Sequence, residues 1–141
     1  MYSNTCLLHK KGWSGINIDI NPTSIDLFNI ARPKDFNICT TISDENKSFE
    51  VFLDDPFSPV NTIDKKFYKK LGKSFSTNKI STVGSKSIDE ILKLSGINKC
   101  IDYINIDVEG SDYKILTEIK DPNELCCIWL FLRSYGQSGR V

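Results

Sequence analysis

Three carboxylates stand where predicted strands end, and acidic side chains in such places are suited to binding polar ligands. Asp19 closes the segment Gly15–Asp19, Asp44 follows Phe36–Ile42, and Asp107 closes Ile101–Asp107, with Glu109 two residues beyond. In an open parallel sheet, ligands bind outside the carboxyl ends of the strands. An acidic residue placed there can accept both hydroxyls of a ribose, and a hydrogen bond to a charged partner contributes roughly 1.5–3 kcal/mol. The competing reading of Asp19 is a loop or cap residue beside Asn21-Pro22. Asp107 and Glu109, at i and i+2, face one side if strand geometry persists. There they suit an acceptor molecule, the ammonium of an amino-acid moiety, or a hard cation held through oxygen. The competing reading is a capping carboxylate at the start of the next helix, favoured by its dipole. No third ligand can be assigned, so the sequence designates no metal site.

The elements that position these residues follow from local signals. Ser3 or Asn4 caps a short helix to about Lys11, and Gly12 stops it. Asn21-Pro22 opens a second helix with a capping side chain and a first-turn proline; Ile25, Phe28 and Ala31 share one face, and Pro33 ends it. Strands are predicted over Phe36–Ile42 and Ser48–Leu53, parted by the polar turn Asp44–Lys47. Asp54–Ile63 holds two prolines and reads as a loop, followed by a lysine-rich helix from Asp64 to about Leu71. Lys79–Val83 is a short strand. Ser87-Ile88-Asp89-Glu90 is a capping box for a helix that buries Ile88, Ile91, Leu92 and Ser95 and stops at Gly96. Ile101–Asp107 leads through Gly110 into another helix, and Leu125–Leu132 is a final buried strand. Apolar strands alternating with amphipathic helices predict an α/β fold, a mostly parallel sheet with helices on both faces.

Composition narrows the function. The chain has 141 residues, enough for one domain, with 40% apolar and 26% charged residues, which is a globular balance. A net charge of zero argues against a mainly electrostatic nucleic-acid binder. The densest basic run, Lys65–Lys70, reads as a solvated helix face, with an acidic partner as the alternative. The five cysteines at 6, 39, 100, 126 and 127 form no C-x-x-C pair, and several lie in apolar runs, which suits a reducing, cytoplasmic setting. His9 is the single histidine, so a multi-histidine metal site is excluded. The N-terminus lacks the apolar core of a signal peptide, and the longest apolar run, Leu125–Leu132, is far too short to span a bilayer. The expectation is a protein with no membrane segment.

Four motifs in order resemble one family. Ser3-Asn4-Thr5, then Lys10-Lys11-Gly12-Trp13-Ser14-Gly15-Ile16 and Ile18-Asp19-Ile20-Asn21-Pro22, resemble the second segment of FkbM-family methyltransferases. Ile42-Ser43-Asp44 resembles that family's Ala-Ile-Ser-Asp segment, with Thr41 in place of alanine. Ser87–Leu92 resembles the helix start before the signature strand. Ile104-Asn105-Ile106-Asp107-Val108-Glu109-Gly110-Ser111-Asp112 is similar to the signature itself. The match runs from about residue 3 to 120. It implies a Rossmann-like methyltransferase fold and transfer of a methyl group from S-adenosylmethionine to oxygen of a small molecule or sugar. By resemblance, Asp19 holds the ribose, Ile42, Ser43 and Asp44 line the adenine, and Asp107 and Glu109 lie near the methionine end and the acceptor.

The chain departs from that family at both ends. The family opens with a strand and an acidic, glycine-containing loop, roughly Asp-Ile-Gly-Ala-Asn, whereas this sequence begins at Met1-Tyr2-Ser3. After Leu132 come Arg133-Ser134-Tyr135-Gly136, where the family keeps a carboxylate. A single partial domain, truncated at both ends, is therefore expected. Two other functions compete: a non-catalytic remnant serving as an interaction module, and a nicotinamide-dependent oxidoreductase. The last requires G-x-G-x-x-G after the first strand, and it leaves Asp107–Gly110 unexplained.

Overall fold

The computed structural model describes residues 4–53, 61–63, 79–97, 101–106, 115 and 130–132. Among them the order is α1 (Cys6–Lys10), β1 (Ile16–Asp19), α2 (Pro22–Ala31), β2 (Phe36–Cys39), β3 (Thr41–Ile42), β4 (Ser48–Leu53), β5 (Lys79–Lys86), α3 (Ile88–Ser95), β6 (Ile104–Ile106) and β7 (Leu130–Leu132). The chain is a mixed α/β structure of small sheets. β1 pairs in parallel with β2, β3 with β5, and β6 with β7, while β4 pairs antiparallel with β5 over six residues.

Helix ends obey the local code. Asn21 caps α2, its side chain accepting the Thr23 N–H at 3.0 Å, with Pro22 in the first turn. The Ser87 hydroxyl accepts the Glu90 N–H and the Glu90 carboxylate accepts the Ser87 N–H, completing the predicted capping box on α3. Gly96, at φ 66°, takes the left-handed turn that ends α3, and Gly12, at φ 89°, does the same just past α1. Ile91 and Val51, each 1% exposed, are the most enclosed large side chains among the described residues.

Three local expectations need correction. Phe36–Ile42 is not one uniform strand. It breaks at Thr40, so β2 belongs with β1 and β3 with β5. The strand predicted over Lys79–Val83 continues to Lys86, because its last residues pair with β3 as well as β4. Of Ile88, Ile91, Leu92 and Ser95, all expected to be buried by α3, only Ile91 is, and at the end of α2 the buried residue is Arg32. Its guanidinium donates to Thr5 Oγ1 at 2.7 Å, lies 5.1 Å from the Phe28 ring centroid and approaches Asp35 at 4.0 Å. Asp35 in turn accepts the Gly15 N–H and the Asn17 amide. Arg32 thus ties α1, α2 and the starts of β1 and β2 together.

Candidate functional site

Asp19 is the last residue of β1, opposite Cys39 at the end of β2. The Thr40 N–H donates to the Asp19 carbonyl at 3.1 Å, so the ladder carries the chain directly into β3 and the turn beyond it. Asp19 thus closes β1 and Ile42 closes β3, each at the carboxyl end of a parallel pairing, the kind of place where α/β sheets hold ligands.

The Asp19 carboxylate is partly enclosed. Its Oδ1 accepts the Asn21 N–H at 2.8 Å, which realises the turn role open to it from the sequence. Burial pushes its carboxyl above the usual carboxylate range, while the Asn21 N–H, the Ser24 hydroxyl and the Ile20 N–H favour the charged form and pull the other way. A carboxylate offers about four acceptor positions. Asn21, Ser24 and Ile20 take three of these, which orients Asp19 and leaves about one acceptor position for a ligand hydroxyl. Beside it, the exposed Cys39 thiol is raised by burial, and by the nearby charges of Asp19 and Asp26, so it stays protonated at neutral pH. Its Sγ lies 3.6 Å from the Ile20 carbonyl.

The 42–44 segment divides into different roles. Ile42 is half-buried, Asp44 is exposed and Ser43 is buried. Ser43 Oγ accepts the Glu45 N–H at 3.2 Å, so its hydroxyl shapes the turn. Asp107 and Glu109 lie outside the described residues; β6, which ends at Ile106, leads directly to them. Asn105 on β6 accepts from the Asn4 side chain at 3.3 Å. Two hollows of about 250 and 360 Å³ lie at the opposite end, by the starts of β1 and β2, and both are bordered by Ser14, Lys34 and Asp35. Asp35 there accepts the Gly15 and Asn17 donors, whereas in an α/β sheet ligands bind at the strand carboxyl ends. No helix among the described residues is long and apolar enough to cross a membrane.

Sequence reasoning missed Thr40 and Ser85 as braces of the site and read Ser43 as lining it, not as shaping the turn. Thr40, Thr41, Ser43 and Ser85 are buried, yet their types read as surface. The available signal was the period of two, which puts Ser85 on the same strand face as the apolar Val83.

The site is therefore that of a mixed α/β protein with an acidic residue closing a parallel strand beside a helix N-terminus. The family model of the methyltransferase FkbM domain matches residues 1–137, and the chain belongs to that methyltransferase family. Comparisons with curated proteins and with solved structures gave no significant match.

Proposed function

We propose that the chain binds S-adenosylmethionine at the carboxyl ends of β1–β3 and methylates an oxygen of a small molecule or sugar. The observation that carries this reading is Asp19: a partly desolvated carboxylate, oriented by Asn21, at the end of a parallel strand. The acceptor position left on this carboxylate fits a ribose hydroxyl, which donates its O–H to it. When bound, the cofactor supplies a methyl group activated as a sulfonium. The chain's part is to hold the ribose through Asp19, enclose the base with Ile42, Ser43 and Asp44, and admit an acceptor oxygen in line. Alignment of that kind accounts for as much as about 7–11 kcal/mol of a barrier. Asp107 and Glu109, following β6, are the residues proposed to face the acceptor, one of them accepting its hydroxyl proton. The finer fold proposed with this function is the Rossmann-like methyltransferase sheet; the three parallel pairings support it.

Calorimetric titration with S-adenosylhomocysteine tests the reading. Micromolar binding that Asp19→Ala abolishes is the expected result. No heat of binding from a folded chain, or equal binding by Asp19→Ala, overturns it.

A further inference from the structure

The turn after β3 is held in place from a distant part of the sequence. Ser85, near the end of β5 and 6% exposed, is opposite Thr41 in the β3–β5 register. Its Oγ accepts the Lys47 N–H at 3.1 Å and donates to the Glu45 carbonyl. Its own N–H donates to the Lys47 carbonyl at 2.9 Å, and the Ser43 N–H donates to the Lys86 carbonyl at 3.0 Å. On the other side of the break, Thr40 Oγ1 donates to the Gly84 carbonyl at 2.8 Å. Ser85 and Lys86 of β5 thus grip the two ends of the turn running from Ser43 to Lys47, and Gly84 holds Thr40 just before β3.

Within the turn, Ser43 Oγ accepts the Glu45 N–H at 3.2 Å, and Lys47 pairs with Glu45 at 2.6 Å through well-exposed side chains. Exposed pairs of this kind contribute little and are screened by salt. The part-buried Ser85 bonds, shielded from water, are therefore the stronger constraint.

We infer that Ser85 is a positioning residue for cofactor binding: it fixes the Ser43–Lys47 turn so that Ile42, Ser43 and Asp44 form the base-side wall of the nucleoside site. This inference rests on the proposed S-adenosylmethionine reading. It also gives β5 a role beyond the antiparallel pairing with β4, because the last residues of that strand reach the site without contacting the ligand themselves.

The test compares variants at Ser85, Val83 and Asp19 with the wild type, each at a temperature where circular dichroism shows it folded. Ser85→Ala is expected to weaken S-adenosylhomocysteine binding about tenfold, the weight of the hydrogen bonds it removes, and to speed hydrogen exchange at the Lys47 amide. Ser85→Thr, which keeps the hydroxyl, restores both. Val83→Ala, which removes buried volume from the same strand opposite Phe49 without touching the turn, destabilises the fold yet leaves affinity unchanged. Ser85→Cys, whose thiol is a weak hydrogen-bonding group, carries the same prediction if Ser85→Ala does not fold. Wild-type affinity in Ser85→Ala or Ser85→Cys, or an equal loss in Val83→Ala, overturns the inference. Failure of the underlying reading has a different signature: the wild type does not bind, or Asp19→Ala binds equally well, and the inference falls with it.

Discussion

Replacing Arg32 with alanine separates the stability of this domain from its proposed ligand site. The guanidinium, 6% exposed, donates to Thr5 Oγ1 at 2.7 Å, and a hydrogen bond from a charged donor contributes about 1.5–3 kcal/mol. Its position 5.1 Å from the Phe28 centroid adds about 0.5–2 kcal/mol. The approach to Asp35, at 4.0 Å, adds little, since Asp35 keeps the Gly15 and Asn17 donors. A loss of about 3 kcal/mol follows, which for a chain of this length lowers Tm by about 10 °C. Arg32 is at the amino ends of β1 and β2, away from Asp19, so affinity for S-adenosylhomocysteine below the transition should not change. Differential scanning calorimetry with and without the ligand measures both quantities. A fall in Tm under about 3 °C would refute the weight given to the buried guanidinium. A tenfold change in affinity would refute the separation of the two ends.

Asp19→Asn keeps an acceptor for the Asn21 N–H but removes a charge that burial disfavours. A carboxyl raised in the folded state binds its proton more tightly there, so its contribution to stability is lost as pH rises from the ordinary carboxylate range through the raised value. Urea unfolding from pH 3 to pH 7 should therefore show Asp19→Asn gaining on the wild type as pH rises, while its ligand affinity falls about 10- to 100-fold. Asp19→Asn losing ground to the wild type as pH rises would contradict the assigned burial. Cys39, raised first by burial and then by Asp19 and Asp26, should alkylate slowly at neutral pH and faster in Asp19→Asn, as read by peptide mass spectrometry; a slower rate in the variant would count against the coupling. Ile91→Ala, at a position 1% exposed, should cost about 2–5 kcal/mol in denaturant unfolding, and a loss under 1 kcal/mol would show that α3 packs loosely.

What the sequence made legible was what short-range chemistry decides. The Asn21-Pro22 start, the Ser87–Glu90 capping box and the Gly96 stop depend on neighbours within four residues, and each forms as read. The break at Thr40 and the extension of β5 to Lys86 depend on a pairing partner more than forty residues away, and no local pattern states it. Arg32 was hidden for a related reason: an arginine after a helix reads as surface until Thr5, Phe28 and Asp35 converge on it. At the site, a carboxylate at a strand end was legible as Asp19, but Ser43 and Ser85 were not legible as braces. Their burial follows from the meeting of β3 and β5, which composition does not encode.

The central claim is that the nucleoside lies at the carboxyl ends of β1–β3. Titrating the isotope-labelled chain with S-adenosylhomocysteine, followed by amide NMR, tests it most directly. The predicted result is saturable shifts at Ile20, Asn21 and Ser43–Lys47 with the amides of Ser14, Gly15 and Lys34 unmoved. Shifts confined to Ser14, Gly15 and Lys34, beside the hollows at the other end, would contradict it.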